Sequence, residues 1–325
     1  MGERGFDLFG GMRPSRRGFL AGGLAAMTAA CAPREASGFF PPSGPAIGVQ
    51  LYSVGPEAAA DLDGTLGKLA AIGYRTVELA GYIGRTPTEL RAALDRAGLK
   101  CTSAHVPGLP FRPAPRTLDD DPGLLAEEAR ILGFDTVIMP LFVTPPHLPI
   151  RLNPGDDVKK VVTAIVAKMG EDGWKWCADY MNRKAAGLSK HGLKFGFHNH
   201  GNEFGPVGNR SIMELLIAET DPALVSFQLD CGWAAGTGTD PAAFIRRHKG
   251  RVSALHIKDV VKSNVPNFEL RMDHAEVGKG IIDWRDVMAA SREAGITRFF
   301  VEQEAPHLRP VFDVLKSNHD YLAAL

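Results

Sequence analysis

The sequence predicts a single (β/α)8 TIM barrel over residues 46–325, and three observations carry that reading. Eight short apolar runs recur along the chain between stretches of helical periodicity, the alternation that builds a parallel sheet faced by helices. Polar or ionisable residues stand at the ends of seven of those runs, and the C-terminal strand ends are where such a barrel gathers its active groups. A length of 325 residues accommodates a barrel of about 250 residues with extensions.

In order, the runs cover residues 47–51, 76–79, 101–105, 136–139, 194–197, 224–229, 252–257 and 298–301. Helix starts are written between them. Thr86-Pro87-Thr88-Glu89 joins a cap, a proline in the first turn and a capping-box glutamate, and Asp240-Pro241 repeats the order of cap then proline. Gly98, Gly192 and Gly295 end helices ahead of the next strand, since glycine adopts the left-handed conformation that closes a helix. The proline-rich connection over 141–157 is long enough for a lid or rim loop.

Residues 1–32 read as an export signal of the twin-arginine type. Ser15-Arg16-Arg17-Gly18-Phe19-Leu20 precedes a small apolar stretch and then Thr28-Ala29-Ala30-Cys31-Ala32. Cleavage after Ala32 is favoured over lipidation of Cys31, because Thr28 stands where a lipobox carries leucine. The mature chain is thus expected in the periplasm, with 33–45 as a Pro/Gly-rich linker. Cys101, Cys177 and Cys231 remain, an odd number at no metal-like spacing, so no disulfide framework is expected. Cys231 reads as a small buried hydrophobe.

Composition narrows the function. Lys and Arg number 37 against 37 Asp and Glu, and without residues 1–32 the counts become 33 and 35. Nucleic-acid binding needs a local excess of basic residues, so this balance argues against it. No apolar run reaches the roughly 18 residues of a membrane span.

The strand ends carry the chemistry. They offer Gln50 and Tyr52, Glu78, His105, the cluster His198-Asn199-His200-Gly201-Asn202-Glu203, Asp230, His256-Ile257-Lys258-Asp259 and Glu302-Gln303-Glu304. A lone histidine or glutamate at a strand end is ordinarily structural. His198, Asp230, His256 and Glu302, on four separate strands, bring nitrogen and oxygen donors into one layer, which reads as a metal site.

These residues resemble the xylose isomerase-like TIM barrels, which include sugar and sugar phosphate isomerases and epimerases, inosose dehydratase-like proteins and, more distantly, endonuclease IV. The resemblance covers nearly all of the chain after residue 32. Its marks are Gly48-Val49-Gln50-Leu51-Tyr52-Ser53, Gly73-Tyr74-Arg75-Thr76-Val77-Glu78, Ser103-Ala104-His105, Phe197-His198-Asn199-His200 with Glu203-Phe204, Leu229-Asp230-Cys231-Gly232-Trp233, His256-Ile257-Lys258-Asp259, Gly278-Lys279-Gly280 with Asp283-Trp284, and Val301-Glu302.

The resemblance implies a divalent cation, commonly Mn, Mg, Co or Zn, held at the ends of strands five to eight. Asp230, His256 and Glu302 match strands six, seven and eight. Many members carry Glu where this chain has His198, so the fifth-strand ligand is either His198 or Glu203. His200 matches the position of a general base in dehydratase-like relatives, and Lys258 matches a lysine that holds a substrate oxygen. Trp233 replaces a histidine that some epimerase-like relatives keep three residues after the strand-six aspartate. Barrels of this family often pair into homo-oligomers, although no residue of this chain specifies one.

A cation with an open side would polarise a sugar carbonyl and stabilise an enediolate. An imidazole with a free pKa of about 6.5 suits the neighbouring proton abstraction near neutral pH. His200 is the expected base, with Glu304 or His105 as acid/base on the other face and Lys258 opposite the developing oxyanion. Gln50, Tyr52, Glu78, Glu203 and Trp233 are expected at the substrate, and Phe204 as a further apolar wall. Export and the weakness of Gly278-Lys279-Gly280 as a phosphate cradle favour an unphosphorylated sugar or keto-sugar. The expected function is therefore a metal-dependent isomerase or epimerase. Elimination on a 3-keto-glycoside or inosose is the alternative enzyme reading, and a non-catalytic carbohydrate-binding barrel the alternative from another class.

Overall fold

Eight parallel strands close on themselves: β1 Ile47–Gln50, β2 Thr76–Leu79, β3 Lys100–His105, β4 Thr136–Met139, β5 Lys194–His198, β6 Val225–Asp230, β7 Val252–Ile257 and β8 Arg298–Val301. Each pairs with its neighbours in sequence, and β8 returns to β1. This computed structural model describes residues 38–41, 43–108, 114–307 and 309–325. The expected twin-arginine signal lies outside them. Among the described residues no helix is long and apolar enough to cross a membrane.

The expected strands appear within one residue of their predicted limits. Leu51, expected in the first strand, instead opens a 3-10 turn, Leu51–Val54, because the Gln50 side chain accepts from the Tyr52 amide and bends the chain. The helix signals act as written. Thr86 and Glu89 make both bonds of a capping box, Asp240 caps Pro241–Arg247, and Gly98, Gly192 and Gly295 have φ of 70°, 77° and 76°. Between β4 and the helix Val158–Ser189, residues 140–157 form no helix or strand. Phe142 at its start is buried, its ring 4.9 Å from that of Trp174.

The segment read as a linker over 33–45 docks where it is described. Phe39 is buried and meets Phe299 edge-on at 5.2 Å, with Phe40 against the same ring. A proline-rich composition concealed two aromatic anchors, whose apolar area is better buried than solvated.

Strand alternation assigns the two faces. Val49, Val77 and Leu255 point outward and join Leu66, Leu69, Leu90 and Leu94 of the surrounding helices in one apolar cluster. The inward set, Gln50, Glu78, His198, Gln228, Asp230 and His256, is polar and buried. Below it the barrel is filled tightly. A Cβ on Gly48 would lie 2.5 Å from Thr76 Oγ1 and 2.7 Å from the Phe300 ring, so glycine there makes room for phenylalanine. Gly48→Ala is expected to cost about 1–3 kcal/mol through overpacking, as measured by denaturant unfolding.

Two irregularities set which residues meet. Between Val77 and Glu78 the register to β3 advances by an extra residue, so Glu78 stands opposite Ser103. Between Phe227 and Gln228 the register to β7 advances likewise, placing Asp230 opposite His256. A one-residue slip exchanges the faces of a strand, so these bulges decide which polar side chains share the interior.

Candidate metal centre

Parallel register builds the site in two tiers. In the lower tier Gln50 pairs with Glu78 across β1 and β2, and Gln50 Nε2 donates to Glu78 Oε1 at 2.8 Å. Ser103 Oγ donates to Glu78 Oε2 at 2.5 Å, and Gln228 Nε2 donates to the same oxygen at 2.9 Å. His198 lies opposite Gln228, and its Nδ1 is 3.0 Å from Gln228 Oε1. His105 Nε2 reaches Glu78 Oε1 at 2.9 Å and Gln228 Oε1 at 3.1 Å.

The upper tier carries the donors. His198, Asp230, His256 and Glu302 are all buried, and one ligand-type atom from each lies within 4.8 Å of the others. His256 is held from both sides, Nε2 2.6 Å from Glu78 Oε1 and Nδ1 2.9 Å from Glu302 Oε2. Asp230 is anchored by its backbone, whose amide donates to Asn199 Oδ1 at 3.0 Å, while Oδ1 accepts from the Trp233 amide at 2.8 Å and caps the helix Cys231–Gly236. Lys258 Nζ stands 2.8 Å from Glu302 Oε2 and 3.1 Å from Asp230 Oδ2, and it also contacts Glu304.

Charge is unbalanced here. Glu78, Asp230 and Glu302 are buried beside Glu304, against one lysine and one imidazole. Burial alone would depress the His256 pKa, yet Glu302 and Glu78 overcome it and raise it to about 10. Burial pushes Asp230 up despite Lys258, and the nearby charge of Glu302 adds to the rise. Burial also opposes ionisation of Glu302, but Lys258 and His256 hold it well below the usual carboxylate range. Asp230 Oδ2, although near Lys258, lies out of hydrogen-bond alignment and has no donor. An excess of buried carboxylate and an unpartnered oxygen inside a four-donor group fit a divalent cation, which would be held by His198, Asp230, His256 and Glu302.

The structure separates the sequence candidates. His198 enters the donor group and Glu203 does not: Glu203 folds back so that Oε2 accepts from the His200 amide at 2.8 Å. Gln50 and Glu78, expected at the substrate, are buried in the lower tier and bonded to one another, because register places them side by side. His105, expected as an acid/base, is engaged by Glu78 and Gln228, its ring stacked on His256 at 5.5 Å. A second histidine group, His105, His198 and His256, meets the same distance limit, and each of its rings has one nitrogen against Glu78 or Gln228.

Other candidates border the upper tier. His200 lies 4.9 Å from His198 and 5.4 Å from Trp233, ring to ring, and its Nδ1 is buried without a partner. Burial, then Lys258, lowers its pKa to about 4. The Trp233 ring also lies 5.4 Å beneath the Lys258 ammonium. Tyr52 is exposed, whereas Phe204 is buried and packs edge-on to Phe244 at 5.5 Å. Gly278-Lys279-Gly280 forms no phosphate cradle: the Gly278 and Gly280 amides donate to Asp259 Oδ2, and Lys279 pairs with Glu276.

The description "xylose isomerase-like TIM barrel" matches residues 66–325. The chain belongs to that family. Strand β1, which lies before the matched residues, completes the barrel by pairing with β8 and β2. An inosose dehydratase of Geobacillus kaustophilus is 25% identical over 61% of this chain and 62% of its own length. One of Geobacillus thermodenitrificans is 28% identical over 45% of this chain and 53% of its own. Both matches thus span less than two thirds of the relative. A sugar phosphate isomerase/epimerase structure from Parabacteroides distasonis has a TM-score of 0.67 and 25% identity, covering 86% of this chain and 97% of that one. The IolI protein with bound zinc has a TM-score of 0.61 at 15% identity over 85% and 95%, a likeness of fold alone.

In this xylose isomerase-like barrel Gln228 stands outside the strand-end groups named above, and Ser103 and Asn199, named there without a role, hold Glu78 and the Asp230 amide. Gln228 had a visible signal: a polar residue inside an apolar run, two positions before Asp230 and so on the same strand face.

Proposed function

We propose that this family member abstracts a proton next to the carbonyl of an unphosphorylated sugar or keto-sugar, as an isomerase or epimerase. One observation carries the reading: a buried donor group, His198, Asp230, His256 and Glu302, is bordered by an imidazole with a buried, unpartnered nitrogen, His200 Nδ1. A divalent cation held by that group would supply Lewis acidity to a substrate carbonyl. His200 is the base, kept neutral by burial and by the charge of Lys258. The Glu203 carboxylate fixes the backbone that presents it. Lys258 faces the oxygen on which negative charge grows, and Glu304, paired with Lys258, receives or returns the proton. The Trp233 ring lines the space between His200 and Lys258.

The carboxylate excess, the three acids within ion-pair distance of Lys258 and the self-satisfied Gly278–Gly280 turn disfavour a phosphorylated substrate. A second reading, elimination from an inosose or 3-keto-glycoside, is supported by the dehydratase relatives and by the engagement of His105, which leaves fewer groups to serve two faces of one carbon.

Solvent deuterium uptake into unphosphorylated ketoses, inososes and 3-keto-glycosides, with Mn2+ and with chelator, tests the proposal. Cation-dependent label next to the carbonyl, with mass otherwise unchanged, is the expected result. Loss of water or of an aglycone assigns elimination, and absence of both exchange and product across the panel removes the catalytic reading.

A further inference from the structure

The lower tier dictates which nitrogen His198 presents. Glu78 accepts from Gln50 Nε2, Ser103 Oγ and Gln228 Nε2, and an ionised carboxylate can only accept. Gln228 must therefore turn its amide nitrogen to Glu78, which aims Oε1 at His198 Nδ1. An amide oxygen cannot donate, so Nδ1 carries the hydrogen and Nε2 is left as the basic nitrogen of His198. His256 lies between two carboxylates, Nε2 2.6 Å from Glu78 Oε1 and Nδ1 2.9 Å from Glu302 Oε2, so it would turn Nδ1 to a cation only on giving up the proton shared with Glu302.

We infer that Gln228, oriented by Glu78 and so fixing the His198 tautomer, makes His198 the residue that sets the metal preference of the group, towards cobalt- and zinc-class ions over manganese and magnesium. The inference rests on the reading that His198, Asp230, His256 and Glu302 bind a divalent cation. Its physical basis is donor chemistry: two imidazole nitrogens beside two carboxylates suit borderline ions, whereas an all-oxygen complement suits Mg2+ and Mn2+. Outer partners that orient a ligating histidine ordinarily contribute 10–100-fold in affinity. Gln228 is buried and its amide is committed at both ends, so it acts as a positioning residue with no access to substrate.

The test uses the full chain stripped of metal, titrated separately with Co2+ and Mn2+ by calorimetry, with the visible spectrum of the cobalt form recorded. His198→Glu is expected to shift the Co2+ to Mn2+ affinity ratio towards manganese by about tenfold or more. Gln228→Leu is expected to weaken Co2+ binding by about 10–100-fold and to change the cobalt bands, with the melting temperature of the stripped protein showing that the barrel persists. An unchanged affinity ratio in His198→Glu overturns the inference, as does wild-type cobalt affinity and spectrum in Gln228→Leu. If the unaltered chain binds neither ion, the reading of the donor group fails and takes the inference with it.

Discussion

Asp230→Asn and Glu302→Gln are each expected to abolish metal binding without unfolding the barrel. Each removes an anionic donor from a group whose atoms lie within 4.8 Å of one another. Loss of an outer partner already costs about 10–100-fold in affinity, so loss of a donor is expected to exceed about 100-fold. The metal-free fold tolerates the change for a physical reason. Ionised Asp230 is disfavoured by burial and by the charge of Glu302, and asparagine removes that charge while its carbonyl keeps the cap on the Trp233 amide. At a cation concentration of 100 times Kd the unaltered protein gains about 2.7 kcal/mol from linkage. Thermal melting with and without Mn2+ or Co2+, together with elemental analysis, reads both quantities. Persistence of the metal-induced shift in both variants would remove the proposed centre.

His200→Gln is expected to leave cation affinity intact and to lower kcat by about 10²–10⁴-fold, the range associated with loss of a general base. The separation follows from placement. His200 borders His198 and Trp233, but it is absent from the donor group. Glutamine retains the backbone amide that donates to Glu203, so the loop stays anchored. Single-turnover deuterium exchange alongside cobalt titration distinguishes the outcomes. Equal losses of metal and turnover would make His200 a positioning residue, and unchanged exchange would exclude it as the base.

The barrel was legible because its signals are local. Each strand is a run of residues that bury one face against helices, and caps such as Thr86-Pro87-Thr88-Glu89 act over four neighbouring residues. The upper tier was legible for a related reason: a (β/α)8 barrel collects strand ends at one face, so His198, Asp230, His256 and Glu302 could be placed together from their positions alone. The lower tier was not. Gln50 and Glu78 stand at strand ends as well, and nothing in their sequence neighbourhood distinguishes a residue facing substrate from one bonded across the interior. The choice between His198 and Glu203 was equally open, because a short turn after β5 can aim either side chain inward. The path of that turn, Gly201 to Gly205, directs Glu203 to the His200 amide.

By itself, the sequence determined the number and order of the strands, several helix starts and stops and the donors available at the C-terminal face, since hydrophobic periodicity and capping are properties of adjacent residues. The tertiary structure alone decided the partners. Two register shifts, at Val77/Glu78 and at Phe227/Gln228, set Glu78 against Ser103 and Asp230 against His256. Closure of the barrel then brought Gln228 within reach of Glu78, 150 residues away in the chain. Alternation within one strand carries no information about where its neighbour slips, so hydrogen bonds that depend on cross-strand register are settled only when the barrel closes.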